Sequence, residues 1–287
     1  MVKFLYVTDL HGWKLGYDTV LAYAIKNKIG TIVNGGDMLP KDAGFFVDQK
    51  IFINTFLKDY FKKCLENDIK YYAMFGNDDL KCYIPLWNSI INKDLRIPID
   101  LTSFHNEASF FEHDLKIIGL NYVPDHPFGL KDWSCLDYTG WKRPLQYSNF
   151  DSISDIEKGL IPVEDTDKYF EQPTMADRLN QLKSDDWSKT ILVCHCPPKA
   201  TLLGNTRKLD VGSGAVLKWI NEKQPLLTLH GHIHESPAIT GVFKMNVGKT
   251  LCVQPGQNNP YNIVFSEIEI DDSKIEAKRI CLKAITL

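Results

Sequence analysis

Five short motifs in the chain combine carboxylate, amide and imidazole side chains, the groups that bind divalent metal ions in proteins. In chain order they are Asp9-Leu10-His11, Gly36-Asp37, Gly76-Asn77-Asp78-Asp79, Cys194-His195 and Gly231-His232-Ile233-His234. In the first and last motifs the ligand-type residues are two positions apart, and in an extended chain side chains at i and i+2 point to the same side. Each of these pairs could therefore reach a common centre.

Seven side chains from the motifs are candidate ligands, more than one tetrahedral ion needs: Asp9, His11, Asp37, Asn77, His195, His232 and His234. With one bridging carboxylate, the set divides between two ions about 3.5–4 Å apart, the separation found in two-metal hydrolases. Each ion would then have four protein ligands and free positions for water and substrate. Mixed oxygen and nitrogen ligands favour Mn²⁺, Fe or Zn²⁺ over Mg²⁺, which prefers oxygen.

Each motif follows a run of residues that is predicted to be a strand. The five strands are Lys3–Thr8, Thr31–Asn34, Lys70–Phe75, Lys189–Cys194 and Pro225–Leu229. In open α/β sheets the loops at the carboxyl ends of the strands converge on one crevice, so the five motifs could meet there. The glycines at positions 36, 76 and 231 permit sharp turns that let the backbone approach a charged cluster.

The remaining pattern predicts helices between these strands and further strands near the C-terminus. Helices are predicted at Tyr17–Asn27, from about Asp48 to Asn67 and at Gly214–Lys223, and strands at Leu115–Leu120, Leu251–Gln254, Asn262–Ile270 and Lys274–Leu282. Alternation of strands and helices favours parallel pairs with helices on the sheet faces. The last two strands are joined by Asp271-Asp272-Ser273 into an antiparallel hairpin, so the sheets should be mixed.

The order Asp-x-His, Gly-Asp, Gly-Asn-x-Asp, His and Gly-His-x-His resembles the calcineurin-like metallophosphoesterase family, and the motifs extend from Asp9 to His234. The resemblance is greatest to small uncharacterised bacterial and archaeal members, on the residues Cys194-His195-Cys196-Pro197-Pro198, Gly212-Ser213 and Gly231-His232-Ile233-His234-Glu235-Ser236. It implies an α/β fold: a four-layer αββα sandwich of two mixed β-sheets flanked by helices. A dinuclear metal site would lie at the carboxyl ends of the strands.

The resemblance also implies roles for the seven candidate ligands. Asp9, His11 and His234 would hold the first ion. Asn77, His195 and His232 would hold the second, with Asp37 bridging both, and Asn77 and His195 would contact the substrate as well. The implied reaction is hydrolysis of a phosphate mono- or diester, in which a hydroxide that bridges the ions attacks phosphorus in line. Two alternatives remain open: a catalytically weak scaffold or binding protein on the same fold, and a nuclease.

Asp78 is the clearest departure from the family pattern. Many relatives carry Gly-Asn-His in the third motif, and that histidine is thought to protonate the leaving oxygen or contact the phosphate. Asp78 stands at this general-acid position, but a carboxylate is normally ionised near pH 7 and would repel a phosphate. We expect Asp78 to face away from the phosphate or to hydrogen-bond locally, with water or a group from the insert described next supplying the proton. Asp79 could support the site by a hydrogen bond to the Asn77 loop or to a ligand.

An insert at about residues 122–187 interrupts the strand–helix alternation within a single domain that spans 1–287. Its first part is rich in aromatic residues, with seven in 29 positions: Tyr122, Phe128, Trp133, Tyr138, Trp141, Tyr147 and Phe150. These residues could form a lid over the metal ions, although packing of the insert or a dimer contact is the favoured interpretation. Further along, Thr174-Met175-Ala176-Asp177 predicts a capping box that opens a helix.

Composition narrows the partners that the chain is expected to have. The 33 basic and 36 acidic residues give a net charge of −3, which argues against a general nucleic-acid binder. No apolar run approaches the roughly 20 residues that cross a bilayer, so we expect no membrane span. The seven cysteines form no evident disulfide framework and predict reduced thiols in a cytoplasmic protein. The expected partner is a small phosphate-ester substrate, and the oligomeric state stays open.

Overall fold

The computed structural model describes residues 1–90, 99–100, 107–145, 151–271 and 274–285. Its strands are β1 (Val2–Val7), β2 (Thr31–Asn34), β3 (Lys70–Ala73), β4 (Ile99–Asp100), β5 (Ser109–Phe110), β6 (Lys116–Leu120), β7 (Val123–Pro124), β8 (Ser134–Cys135), β9 (Ser152–Asp155), β10 (Gly159–Pro162), β11 (Thr190–Cys194), β12 (Leu227–Leu229), β13 (Lys244–Val247), β14 (Thr250–Val253), β15 (Asn262–Asp271) and β16 (Lys274–Lys283). Its α-helices are α1 (Lys14–Lys26), α2 (Phe45–Phe52), α3 (Lys58–Glu66), α4 (Ile84–Ile90), α5 (Thr166–Tyr169), α6 (Met175–Gln181), α7 (Gly214–Lys223) and α8 (Ser236–Thr240).

Two six-stranded mixed sheets form the centre of the molecule. The first has the order β16-β15-β1-β2-β3-β4, in which β1 to β4 are parallel and the β15–β16 hairpin is antiparallel. The second has the order β13-β14-β12-β11-β6-β5, again with four parallel strands and an antiparallel strand at each edge. The mixed character that the sequence predicted is thus confirmed in both sheets.

Alternation of side chains along the strands generates the layers. On β1, Phe4 and Tyr6 are buried between the two sheets, against Ile191 and Val193 of β11, whereas Leu5 belongs to the core on the helix side. Helices α1 and α3 pack on the first sheet, α7 packs on the second, and α6 packs against α7. Since successive residues of a strand point to opposite faces, each sheet buries one face against the other sheet and one against helices. The predicted four-layer αββα sandwich is confirmed.

The predicted helix from Asp48 to Asn67 is present, but it begins at Phe45 and contains a π-helical turn at Ile53–Leu57 between α2 and α3. Its aromatic residues, spaced four positions apart, stack on one another. The ring centroids of Phe52 and Phe56 are 4.9 Å apart, and those of Phe56 and Tyr60 are 5.9 Å apart. All three rings pack against Tyr17 of α1, which fixes this helical layer on the first sheet.

Several element boundaries differ from the prediction for physical reasons. Helix α1 begins at Lys14 rather than Tyr17 and includes Gly16, where an added Cβ would lie 2.9 Å from the Trp13 ring and 3.2 Å from Ile263. Gly16 interrupts the apolar pattern of the sequence, but it lies inside the helix, where the absence of a side chain allows close packing. The β3 strand ends at Ala73 instead of Phe75. The elements α4, α5, α8, β4, β5, β7 to β10 and β13 were not predicted, and residues 272–273 of the predicted hairpin turn lie outside the described residues.

The first part of the insert is built into the core. The side chains of Trp133 and Cys135 are buried. Strands β7 and β8, both within the insert, pair with each other. Trp133 Nε1 donates a hydrogen bond of 2.8 Å to the carbonyl oxygen of Asp79, in the third motif. These contacts support the packing interpretation for Trp133, while Tyr147 and Phe150 lie outside the described residues.

The second part of the insert contains the predicted capping box. The hydroxyl of Thr174 accepts a hydrogen bond from Asp177 N, and the Asp177 carboxylate accepts one from Thr174 N at the start of α6. The seven cysteines are all free, as predicted, and five of them are buried. Among the described residues, the helices are too short or too polar to span a bilayer.

Candidate metal centre

The first, second and fifth motifs turn sharply where their strands end. Four of the predicted ligands adopt the left-handed backbone region, with φ of +57° at Asp9, +43° at His11, +51° at Asp37 and +67° at His232. This conformation costs an L-residue on the order of 1 kcal/mol, so it persists where other contacts impose it. Backbone hydrogen bonds of Asp9 N to Gly36 O (3.0 Å) and of His11 N to Asp37 O (2.9 Å) hold the first two loops together.

Asp37 lies at the middle of the cluster. Its Oδ2 is 3.3 Å from His195 Nε2 and 3.9 Å from His11 Nε2. Two groups of possible ligand atoms, each within 4.8 Å of one another, both include this residue: Asp9, Asp37 and His195 in one, and His11, Asp37 and Asp78 in the other. A carboxylate that belongs to both groups occupies the position at which a bridging ligand would be needed.

The orientation of the His195 ring prepares one nitrogen for a cation. Its Nδ1 donates a 2.8 Å hydrogen bond to the Gly35 carbonyl oxygen, so in the neutral ring the lone pair is on Nε2. That atom faces the side-chain oxygens of Asn77 at 3.1 Å, Asp37 at 3.3 Å and Asp9 at 4.0 Å. A lone pair among oxygen atoms needs a proton or a metal ion to be stable, and a backbone carbonyl that fixes the ring in this way is typical of metal-binding histidines.

The pKa shifts of these groups also indicate that the cluster favours a bound positive charge. Burial lowers the pKa of His195, but the adjacent carboxylates of Asp37 and Asp9 raise it to about 9. Burial raises the pKa of Asp9, since the cost of removing its charge from water exceeds the attraction of His195. The carboxylates of Asp9, Asp37 and Asp79 are all buried within this region. Divalent cations would compensate this concentration of negative charge.

The two histidines of the last motif border the same cluster. The ring centroids of His232 and His195 are 5.4 Å apart, and those of His234 and His11 are 5.9 Å apart. Among the described residues of this cluster, the buried atoms Asp9 Oδ2, His11 Nδ1 and His234 Nδ1 lack a hydrogen-bond partner. Buried polar atoms are normally paired, and metal ligation is one explanation of such exceptions. The donor set therefore fits divalent metal ions, and the assignment of the seven ligands remains a prediction.

Asp78 lies at the edge of the cluster and hydrogen-bonds locally. Its Oδ1 accepts a 2.9 Å hydrogen bond from Asn77 Nδ2, which leaves Asn77 Oδ1 directed at His195. Its Oδ2 is 3.8 Å from His11 Nδ1 and 3.7 Å from Lys41 Nζ. Burial, followed by the charge of Asp37, raises the pKa of Asp78 to about 7. The local hydrogen bond agrees with the expectation from the sequence, and its consequence is to orient the Asn77 amide.

We expect Asp78→Asn to change the rate of aryl-ester hydrolysis by less than about tenfold, because the amide oxygen can still accept from Asn77 and general-acid catalysis by this residue is not required. Asp78→Ala removes the acceptor and should weaken binding of the ion that Asn77 holds by about tenfold. Steady-state rates and metal titrations of both variants check this. A thousandfold loss in Asp78→Asn with both ions bound would instead make Asp78 catalytic.

Asp79 stabilises the loops of the second and third motifs. Its carboxylate accepts hydrogen bonds from the backbone nitrogens of Met38 (3.1 Å), Leu39 (2.8 Å) and Gly76 (2.8 Å). Burial raises its pKa, and these three donors oppose that effect. The carboxylate ties the second motif to the third, which is the supporting role that the sequence predicted for it.

Other histidines behave differently from the candidate ligands. His230 is buried, with Nδ1 2.9 Å from the carbonyl oxygen of Cys194 and Nε2 2.8 Å from the Thr228 hydroxyl. These contacts give His230 a structural role. His126 of the insert lies against the centre, with its ring centroid 6.4 Å from that of His232, and the Phe128 ring is 6.0 Å from the same histidine.

Lys41 was not identified from the sequence, and His126 was included only as part of the insert. Lys41 Nζ is 3.0 Å from His11 Nε2, so this cation lies at the entrance of the cluster. The signal in the sequence is weak: a lysine that follows Pro40, four residues after the Asp37 motif. His126 approaches through its hydrogen bond to the Val211 carbonyl (3.0 Å), a contact between residues 85 positions apart.

The fold and the site together define an α/β sandwich whose candidate metal-binding residues lie at the ends of the strands. The family profile of the calcineurin-like phosphoesterases matches residues 2–236, and the chain belongs to this family. Members are metal-dependent phosphoesterases, so the chain is a hydrolase of the metal-dependent phosphoesterase type.

Solved structures share this fold at low sequence identity. One crystal structure matches with a TM-score of 0.60 and 14% identity, over 96% of this chain and 98% of the other. TT1561 of Thermus thermophilus matches with a TM-score of 0.55 and 15% identity, over the same shares of the two chains. No match was found among curated proteins.

Proposed function

We propose that this protein hydrolyses a phosphate mono- or diester at a dinuclear metal centre in which Asp37 bridges the two ions. The observation that carries the proposal is the position of Asp37, shared by two groups of possible ligand atoms and placed between His11 and His195. Asp9, His11 and His234 would hold one ion, and Asn77, His195 and His232 the other. This division follows the family pattern, whereas the two groups of neighbouring atoms place Asp9 with His195 and Asp78 with His11.

The residues of the chain have distinct tasks in the proposed reaction. When bound, the ions would supply a hydroxide for in-line attack on phosphorus and neutralise charge on the phosphoryl oxygens. Gly35 O holds the His195 ring in one orientation, and Asp78 holds the Asn77 amide. Lys41, whose side chain is 40% exposed at the entrance, adds positive charge where an anionic substrate arrives.

The proposed substrate is a small phosphate ester, and the proposed metals are Mn²⁺, Fe or Zn²⁺. The mixed oxygen and nitrogen donors support these metals over Mg²⁺. The net charge of −3 supports a small molecule over a nucleic acid. The seven free cysteines support a reducing compartment, for which we propose the cytoplasm.

Reconstitution with Mn²⁺ tests the proposal. We expect about two ions per chain by elemental analysis, hydrolysis of p-nitrophenyl phosphate or bis(p-nitrophenyl) phosphate, and loss of that activity on chelation. Asp18→Asn is a matched control, because Asp18 is a buried carboxylate on α1 whose partner is Lys63, at 3.8 Å. This variant should retain both ions.

Two results would contradict the proposal in different ways. One ion per chain would exclude the dinuclear centre. Two bound ions without hydrolysis of any aryl ester or nucleotide would favour the scaffold interpretation of the same fold.

A further inference from the structure

A cleft opens beside the metal centre, on the side of His234. It has a volume of about 540 Å³, and its walls include Arg207, Lys208, His234, Glu235, Ala238 and Ile239. Pockets that bind small molecules commonly have volumes of about 300–1,000 Å³. The cleft is therefore large enough for an organic group that extends away from the metal centre.

The two basic residues of the cleft stand at the tip of a tight turn. Thr206 N donates to the Leu209 carbonyl oxygen (2.8 Å), and the Thr206 hydroxyl accepts from Leu209 N (3.1 Å). These bonds close the turn around Arg207 and Lys208. Both side chains project from a backbone that is already ordered, which lowers the entropy lost when they bind an anion.

The turn is attached directly to the last metal motif. Asn205 N donates a 3.0 Å hydrogen bond to the Ser236 hydroxyl, which in turn donates to the Leu202 carbonyl oxygen at 2.9 Å. Ser236 is two residues after His234. The position of the basic pair relative to the metal centre is thus set by hydrogen bonds between the two segments.

The positive charge of Arg207 and Lys208 is available to bind an anionic ligand. Across the described ranges of the chain, Arg207 and Lys208 form no ion pair with an acidic side chain. Glu235 is the acidic residue on the cleft wall, and its Oε2 lies 3.7 Å from His234 Nδ1, toward the metal centre. Ala238 and Ile239 supply an apolar wall against which a ring or sugar could pack.

We infer that this cleft is a subsite for a second anionic group of the substrate, and that the substrate class is a phosphate ester that carries an additional phosphate. The inference rests on the proposed function, since it places the scissile phosphate at the metal centre. Arg207 can bind phosphate oxygens through two parallel N–H donors, and Lys208 acts as a point charge. His234, a proposed ligand of one ion, also lines the cleft.

Competition by two nucleotides against p-nitrophenyl ester hydrolysis tests the subsite. We expect adenosine 3′,5′-bisphosphate to have an inhibition constant about tenfold lower than adenosine 5′-monophosphate, because two charge-assisted contacts are added. In the double variant Arg207→Gln/Lys208→Gln, with both ions still bound, the ratio should fall to about two or less. The wild-type preference should also weaken at high salt.

The matched control removes the same charge elsewhere. Lys50→Gln/Lys58→Gln changes two exposed lysines on α2 and α3, outside the cleft, and should keep the wild-type ratio. A preference that survives Arg207→Gln/Lys208→Gln, or a wild-type ratio below about two, overturns the subsite. If the Mn²⁺-loaded protein hydrolyses no ester, the proposed function fails, and calorimetric titration with the same nucleotides still decides the subsite by the same ratio.

Discussion

Asp37→Ala is expected to release both metal ions and to reduce phosphoesterase activity by about 10³-fold or more, since bound ions supply several kcal/mol of transition-state stabilisation. The reason is geometric. Asp37 Oδ2 lies between His11 Nε2 and His195 Nε2, so in the proposed dinuclear centre one substitution removes a ligand from each ion. Elemental analysis and aryl-ester kinetics on the same preparation measure the two effects together.

Two further variants distinguish loss of the bridging carboxylate from a general disturbance of the fold. Asp37→Asn keeps the shape and one neutral oxygen, and we expect it to retain more metal than Asp37→Ala. Asp18→Ala removes a buried carboxylate from α1 and should leave the metal content unchanged. An Asp37→Ala protein with two ions and full activity would show that Asp37 is not the bridge.

Gly76→Ala is expected to displace Asp37 and thereby to lower metal content and activity by about a hundredfold or more. A Cβ added at Gly76 would lie 2.2 Å from Asp37 Oδ1 and 2.3 Å from Asp37 N, where no atom fits. Asp37 Oδ1 also accepts a 2.8 Å hydrogen bond from Asp78 N, so the carboxylate cannot move away without losing this contact. Overpacking of this kind typically costs about 1–3 kcal/mol of stability as well.

Gly30→Ala is the matched control, because a Cβ there meets its first neighbour, Asp68 O, at an ordinary distance of 3.8 Å. We expect this variant to change the free energy of unfolding by less than about 1 kcal/mol. Circular dichroism establishes that Gly76→Ala is folded before its metal content is measured. A folded Gly76→Ala protein that binds two ions with wild-type activity would contradict the close-approach argument.

The positions of the strands and of the polar loops that follow them could be predicted from the local sequence pattern. The strand Thr31–Asn34 and the helix Gly214–Lys223 were predicted with the boundaries observed, because apolar periodicity and capping residues act over a few neighbours. Other boundaries shifted by one to three residues, and at the start of α1 the shift coincides with a tertiary contact. At Gly16 the contact is with Ile263, far along the chain.

The placement of the insert illustrates what local pattern does not contain. Aromatic richness was compatible with a lid or with packing. The structure places Trp133 in the core, hydrogen-bonded to Asp79 O, while Phe128 reaches the ring of His232. Residues of one segment thus take different roles, because burial is decided by which distant segment each side chain contacts.

The sequence by itself indicated the family through its motifs, the αββα class through that resemblance, and a set of candidate metal ligands, since residue type, spacing and position after strands are properties of short segments. Tertiary structure decided how those side chains are directed. His195 presents Nε2 to the cluster because its Nδ1 is bonded to Gly35 O, 160 residues away. Lys41 and the Arg207 turn reach the same region through comparable long-range contacts. Hydrogen bonds between distant segments depend on the folded arrangement of the whole chain, so no local pattern specifies them.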